Sequence, residues 1–402
     1  MAHTPSSAAD IKNPGPFRIS SGMNMLFIAF VVIGIASIAG GLMVDSKREW
    51  FSFVQNHFYF MSLGLGGLFF AAIQWLTGAM WSAPVRRVSE AFTSYLPVVL
   101  VTFLLLGIFG THSLYIWTDA SHVAGDLVLK GKSGYLSQNF FIIRNVIGIL
   151  LWIFFARKMV GNSIAQDTDH KIVHTERNRV YAPIFLIIFA LTFTMASFDQ
   201  LMSLDPHWFS TMFGVYMFAG MFYANLASTC VLTIYLKRKG PLEGIVNDNH
   251  LHDLGKFMFA FTVFWAYIGF SQFMLIWYAN QPEETMYFMH RFAGGWFYVS
   301  LFLLIGKFLV PFFLLLARDA KRNMNMLMGV GIFMMVAQWI DMLWIVQPEF
   351  DRSGPVIGWM ELGTTLGFLG VFCLVVARFL AKHNTVAIGD PRLAESVLHH
   401  HQ

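Results

Sequence analysis

Long apolar runs alternate with short polar segments along almost the whole chain. A helix needs about 20 apolar residues to cross the hydrocarbon core of a bilayer, and runs of that length recur about ten times. Apolar residues are continuous within each run, which is typical of membrane-spanning helices and not of barrel strands. The pattern predicts an all-α integral membrane protein with spans at residues 24–44, 59–81, 95–117, 138–159, 181–203, 208–236, 256–279, 289–317, 324–346 and 356–381.

The composition favours the same class. Hydrophobic residues make up 56% of the 402 positions and charged residues only 12%, a balance that a soluble domain rarely has. The polar loops are short, so they leave no room for a separate soluble catalytic domain. We therefore predict one transmembrane domain at 23–381, between a cytoplasmic N-terminal segment at 1–22 and a cytoplasmic tail at 382–402.

The orientation follows from the lysine and arginine residues of the loops. The termini and alternate loops hold most of them, whereas the other set of loops holds only Lys47, Arg48, Lys130, Lys132 and Arg352. By the positive-inside rule both termini are expected in the cytoplasm, and an even number of spans agrees with this. Topology and anionic lipid account for the net charge of +4, so we expect no nucleic-acid partner.

Few residues are suited to hold a redox centre. The two cysteines, Cys230 and Cys373, lie inside apolar runs, and iron–sulfur clusters usually need four cysteine ligands. Of the histidines, only His112 and His290 approach membrane depth, and a lone interfacial histidine is more often structural than a haem ligand. We therefore expect no iron–sulfur cluster, haem or other metal site in this chain.

Six ionisable residues lie within about two helical turns of the outer ends of the predicted spans. A charge inside a bilayer is costly, so each one indicates either a function or one half of a buried pair. Arg144 is expected to meet Asp199, Asp341 or Glu361. Ion pairing, a proton path and a quinol site all remain open for this set, which is His112, Arg144, Asp199, Arg291, Asp341 and Glu361.

Two further charges are predicted near the inner face. Lys307 is followed by Pro311, which frees backbone carbonyls one turn back. Lys307 can extend its ammonium group to the lipid headgroups, or it can form a cytoplasmic proton uptake site with Glu90. Together with the outer group these residues would form two half-paths separated by the apolar middle.

Three segments carry a resemblance to a known family. WSAPVRRVSEAF, FDQLMSLDPHWFST and LHDLGKFMFAFTVFWAYIGFSQFMLIWYANQPEET resemble segments of the F subunit of bacterial alternative complex III, a polysulfide-reductase-like or NrfD-like membrane subunit. The similarity extends from about residue 58 to residue 381. The resemblance implies two four-helix bundles with flanking helices, which agrees with the independent number of spans, and a location in the bacterial inner membrane.

The resemblance also implies partners and a role. Such complexes oxidise quinol near the outer face and pass electrons to cytochrome c or another acceptor. The partners would be an iron–sulfur subunit, a multihaem cytochrome c, a second NrfD-like membrane subunit and small membrane subunits. The haem c groups and iron–sulfur clusters would belong to those partners, and this chain would not be catalytic alone.

Three functional hypotheses follow. In the first, the chain is a structural or proton-conducting subunit, and Asp199→Asn or Glu361→Gln would reduce proton pumping more than electron transfer. In the second, it binds and oxidises menaquinol or ubiquinol itself, with His112 or Asp199 as general base. In the third, it is a free-standing transporter. The quinone-binding candidates are His112, Asp199, Gln272 and His290.

Overall fold

The computed structural model describes residues 13–398 as an all-α protein, in which the only β contact is one isolated bridge between Pro16 and Asn384. Ten helices in this part of the chain are long and apolar enough to cross a membrane. The predicted fold class is therefore confirmed. The spans are α1 Ser21–Val44, α2 Ser46–Thr77, α3 Ala83–Leu114, α4 Gln138–Asp169, α5 Val173–Leu204, α6 Phe213–Arg238, α7 Asp248–Ala279, α8 Trp296–Leu316, α9 Met324–Glu349 and α10 Trp359–Lys382.

The spans pack as two sets of four. Helices α2 to α5 form one set and α6 to α9 form the second. The sets meet where α2 packs against α6 and α9 and where α6 packs against α3 and α5. Helices α2 and α6 are the most deeply buried, as their central position requires. The remaining helices, α1 and α10, pair with each other and lie against α2.

The pair of flanking helices meets through glycine. A Cβ atom added to Gly367 would lie 2.7 Å from the Gly34 Cα atom. Small residues allow helix backbones to approach closely, which is how membrane helices gain packing without a hydrophobic driving force. The absence of side chains at Gly34 and Gly367 therefore brings α1 and α10 into direct backbone contact.

Both ends of the described chain lie on one face. The Phe17 amide donates to the Leu380 carbonyl at 2.8 Å, and the Thr385 amide donates to the Gly15 carbonyl at 3.2 Å. We call this side the terminal face and the other side the opposite face. The opposite face carries the short helices Ala120–Gly125, Leu127–Lys132 and Pro282–Arg291, and the terminal face carries Leu393–Val397.

Several helices begin or end outside the predicted spans, and the differences at α2 and α8 change where buried polar residues lie. Helix α2 begins at Ser46 instead of residue 59, because its polar first turns are covered by neighbouring helices and not by lipid. His57 is buried in this first part of α2, with Nδ1 2.8 Å from the Thr102 hydroxyl. Helix α8 begins at Trp296 instead of residue 289, since residues 282–291 form a separate helix. Parts of the predicted terminal segments, residues 1–12 and 399–402, lie outside the described residues.

Candidate functional site

Lys307 and Asp341 form a buried ion pair between α8 and α9. The Lys307 Nζ atom lies 2.5 Å from Asp341 Oδ2 and donates to Gln338 Oε1 at 2.7 Å. The Tyr216 hydroxyl of α6 donates to Asp341 Oδ1 at 2.6 Å. Lys307 is completely buried and Asp341 almost so. We call Lys307, Asp341, Tyr216 and Gln338 the central cluster.

The backbone of α8 is irregular where it carries Lys307. Residues Leu303–Leu309 form a π-helical segment, which is a common feature of functional sites. Pro311 has no amide hydrogen to donate to the Lys307 carbonyl four residues earlier. The Tyr223 hydroxyl supplies this hydrogen bond instead, at 3.1 Å. The ammonium group also lies 3.9 Å from the centre of the Trp265 ring, so aromatic and polar groups together replace its hydration shell.

Arg144 and Asp199 form a second buried pair, between α4 and α5. Arg144 Nε and Nη2 donate to the two carboxylate oxygens of Asp199 at 2.7 and 2.8 Å. Asn145 donates to Asp199 at 2.9 Å and accepts from Gln200 at 3.0 Å, while Arg144 also donates to the Tyr135 carbonyl. This bidentate geometry fixes both side chains in one arrangement. Of the three acids expected for Arg144, the partner is Asp199.

Arg291 is buried among backbone carbonyls near the opposite face. It donates to the carbonyls of Tyr287, Trp344 and Ile345 at 2.8–3.1 Å, and its guanidinium lies 3.4 Å from the centre of the Tyr287 ring. The carboxylate of Glu349 lies 3.5 Å from the guanidinium. Glu349 Oε1 is buried and accepts no hydrogen bond from the described residues. Arg291 therefore joins the helix Pro282–Arg291 to the end of α9, where its charge faces the Glu349 carboxylate.

Glu361 pairs with a residue that the sequence assigned to a loop. Arg48 Nε and Nη2 donate to the two carboxylate oxygens of Glu361 at 2.8 Å each. The same carboxylate accepts from the Gly358 amide at 2.7 Å and so caps α10. Beside it, Glu49 accepts a hydrogen bond from Thr364 at 2.6 Å. This set joins α2 to α10 near the opposite face. It shares no helix with the central cluster, which lies on α6, α8 and α9.

A solvent-accessible cavity of about 500 Å³ lies on the opposite face. His112 is exposed and lines it, and His207 of the same cavity lies 2.5 Å from Asp126. Its remaining polar lining includes Lys47, Asp119, His122, Asp205, Glu349 and Arg352. A much smaller cavity, lined by Asp205, Arg291 and Glu349 among others, lies next to it. We call the larger cavity the vestibule.

An apolar cavity of about 440 Å³ opens between α7 and α8. Gln272, Trp265 and the central-cluster residue Tyr216 contribute polar groups, and exposed aromatic residues such as Phe270 and Phe297 form its outer rim. The Trp265 Nε1 atom is buried and has no hydrogen-bond partner of good geometry in the described part of the chain. We call this space the lateral cavity.

The four quinone-binding candidates do not converge. Gln272 lines the lateral cavity, His112 lines the vestibule, and Asp199 is held by Arg144. His290 lies in the helix Pro282–Arg291, where burial and then the charges of Arg352 and Arg291 lower the pKa of its imidazole. The lateral cavity is lined by Gln272 and the vestibule by His112, and neither cavity is lined by a second of these four residues.

Glu90 lies near the terminal face in a closed network. Ser163 donates to both of its carboxylate oxygens at 2.9 and 3.0 Å, and Arg86 and Arg87 lie 3.6 and 3.5 Å away. Arg86 also pairs with Asp390 of the C-terminal tail. Burial alone would raise the pKa of Asp390, but the charge and hydrogen bond of Arg86, together with the backbone amide and charge of Arg392, lower that pKa. Glu90 is fully buried and pairs with these arginines, while Lys307 pairs with Asp341.

The geometry defines a multi-pass membrane protein in which most of the buried charges described above are paired with an opposite charge. In residues 13–398, no three histidine, cysteine or acidic residues converge as metal ligands do. No protein-family model matches the chain, and no curated protein is similar enough to count as a match.

Proposed function

We propose that this chain is a proton-conducting membrane subunit of a quinol-oxidising electron-transfer complex. The observation that carries the proposal is the buried Lys307–Asp341 pair with its two polar neighbours, Tyr216 and Gln338. Lys307 lies eleven residues into α8, or about 16 Å at 1.5 Å per residue, which is close to the middle of a bilayer. Ionisable groups at that depth mark ion and proton pathways.

The chemistry of the two buried pairs differs. Arginine stays protonated in proteins, so the Arg144–Asp199 pair cannot exchange its proton and serves to hold α4 against α5. Lysine loses its proton more readily when it is buried. Transfer of a proton from the Lys307 ammonium to the Asp341 carboxylate leaves both groups neutral, so the transfer leaves no net charge inside the membrane. Lys307 and Asp341 are therefore the groups suited to pass a proton.

A route from the central cluster to the opposite face follows from the neighbouring groups. Tyr216 and Tyr287 both line the lateral cavity, and Tyr287 is stacked against Arg291. The Arg291 and Glu349 side chains share a small cavity with Asp205, and Glu349 and Asp205 also line the vestibule. The Glu349 carboxylate, which lines both cavities, can receive a proton and release it to vestibule water. His112 and His207 would then act at the exposed end of this route.

Membership in a redox complex rests on the resemblance of residues 81–92, 198–211 and 251–285 to the F subunit of alternative complex III. In that assembly the partners carry the haems and clusters, and this chain contributes the membrane part. The excess of basic residues on the terminal face supports a cytoplasmic position of this face under the positive-inside rule. The membrane would be the bacterial inner membrane.

The expected result of Asp341→Asn is a loss of proton movement with electron transfer retained. The complex would be isolated through an affinity tag on this chain and reconstituted into lipid vesicles, and proton release and electron transfer would be recorded together after addition of quinol. The matched control is Asp351→Asn, which removes the charge of a partly exposed acid of the opposite face that lines none of the cavities on the proposed route. An unchanged ratio of protons to electrons in Asp341→Asn would contradict the proposal, as would isolation of the chain without any haem or iron–sulfur partner.

The lateral cavity favours quinone binding as a second function. It opens between α7 and α8, has aromatic walls, and is lined by Gln272, whose amide can donate to a carbonyl oxygen. Apolar pockets with a few convergent polar groups are the usual form of small-molecule sites. A quinone analogue located in this cavity in the assembled complex would support this function, and an analogue found only in another subunit would exclude it.

A further inference from the structure

A groove of about 520 Å³ lies between α1 and α10 on the terminal face. It shares no lining residue with the vestibule or the lateral cavity. Two arginines line it, Arg18 just before α1 and Arg378 in the last turns of α10. We call this space the terminal groove.

Backbone contacts hold the two arginines side by side. The Phe17 amide donates to the Leu380 carbonyl at 2.8 Å and so fastens the segment before α1 to the end of α10. Arg18 follows Phe17 directly, and Arg378 lies four residues before the last residue of α10. Both arginine side chains are exposed and line the same groove. The fold therefore places two positive charges at one concave surface.

The charge of the terminal groove is not compensated within the chain. Among the described residues that line the groove none is acidic, and neither arginine forms an ion pair within residues 13–398. Lys237 of the same face, in contrast, has its Nζ atom 3.6 Å from the Asp248 carboxylate. A guanidinium group binds phosphate oxygens through paired N–H groups. The terminal groove therefore favours an anion of the phosphate type.

Small and apolar side chains shape the rest of the groove. Ala377 and Ala381 lie on one face of α10, where their short side chains leave space open. Leu374 lies about 12 Å from the end of α10, and Met25, which is 66% exposed, lies about 6 Å into α1. A phospholipid has the same order, with its phosphate at the membrane surface and its acyl chains deeper. A free phosphate ion would leave the apolar part of the groove unfilled.

We propose that the terminal groove binds an anionic phospholipid, whose phosphate lies between Arg18 and Arg378 and whose acyl chain packs against Met25 and Leu374. Basic pockets between membrane helices are a known form of site for anionic headgroups. The bound phosphate joins the start of α1 to the end of α10, where the glycine contact between these helices does not reach. The site involves no residue of the central cluster, so it is independent of the proposed function.

Binding of phosphatidylglycerol to the purified full-length chain in detergent micelles tests the site. Native mass spectrometry gives the fraction of the chain that carries lipid at each lipid concentration. We expect Arg18→Gln and Arg378→Gln each to weaken binding about fivefold, as for one basic residue near an anionic headgroup, and the double variant about 25-fold. The matched control is Arg318→Gln, which removes an exposed arginine of the same face that does not line the groove. The control should bind the lipid as the unmodified chain does.

A second variant separates a built site from general attraction of lipid to surface charge. Ala377→Phe keeps both arginines and fills the groove, so we expect it to weaken phosphatidylglycerol binding by a factor similar to that of one arginine variant. Thermal unfolding shows whether this variant is folded. If it is not, the comparison of Arg18→Gln and Arg378→Gln with Arg318→Gln still decides the question.

Several results would overturn the lipid site. Unchanged binding in a folded Ala377→Phe variant, or equal losses in Arg318→Gln and Arg18→Gln, would show that the arginines act only as surface charges. Phosphatidylcholine that binds as tightly as phosphatidylglycerol would exclude selection of an anionic headgroup. Displacement of the lipid by inorganic phosphate at the same concentration would assign the groove to a free anion.

Discussion

Replacing Lys307 by methionine is expected to destabilise the folded protein by about 3–5 kcal/mol, because it leaves the buried Asp341 carboxylate without its cation. The substitution keeps most of the side-chain volume, so the loss arises from charge and not from a cavity. Tyr216 can still donate to Asp341, but one neutral hydrogen bond does not replace the ammonium group. Thermal or denaturant unfolding of the purified full-length chain in detergent micelles measures the effect.

A double variant isolates the pair from other consequences of the substitution. Lys307→Met combined with Asp341→Asn contains no buried charge at this point, so much of the lost stability should return. Lys130→Met, which removes an exposed lysine of the opposite face, should change stability by no more than about 0.5 kcal/mol. If the double variant is as unstable as the sum of the two single variants, the two residues do not act as a pair.

Replacing Arg144 by methionine is expected to destabilise the protein by a similar amount, about 3–5 kcal/mol, since Asp199 keeps only its bond from Asn145. The guanidinium also packs 3.7 Å from the centre of the Tyr135 ring, and this contact is lost too. The same unfolding measurement applies. Proton movement per electron in the surviving protein should stay near normal, because the pair holds helices together.

Arg144→Lys tests whether the bidentate geometry matters. A lysine offers a point charge and cannot make the two parallel hydrogen bonds that Asp199 accepts. We expect this variant to stay clearly less stable than the unmodified protein. Equal stability would show that only the charge of Arg144 matters at this position.

The hydrophobic pattern was sufficient to predict the class and the ten spans, because apolar length alone decides whether a helix can cross a bilayer. It could not predict where α2 begins. Residues 46–58 include Glu49, Gln55 and His57, which read as a polar segment outside the membrane. They are buried by neighbouring helices. Hydropathy does not distinguish burial in protein from exposure to water.

The same limit explains the position predicted for Lys307. A span predicted from residue 289 places Lys307 closer to the inner face, whereas α8 begins at Trp296 and places it near the middle. At the middle of the bilayer it can reach Asp341 of the adjacent α9. Because the predicted start of this helix was seven residues too early, Lys307 and Asp341 were placed at different depths from the sequence and were not paired.

The uncharged residues of the central cluster were also not identified from the sequence. Tyr216 and Gln338 resemble ordinary aromatic and polar residues of a membrane helix, and only their contacts with Asp341 and Lys307 identify them. Arg48 was assigned to a loop, although it pairs with Glu361. In contrast, the pairing of Arg144 with an acid could be predicted, because an arginine so deep in a span requires a nearby carboxylate.

The central claim is that Asp341 changes its protonation while the complex works. Infrared difference spectroscopy of the reconstituted complex, started by addition of quinol, measures this directly through the C=O stretching band of a protonated carboxyl group. A transient band that shifts in heavy water and is missing in Asp341→Asn is the result we predict. A spectrum without any such band, or one that Asp341→Asn leaves unchanged, would contradict the claim.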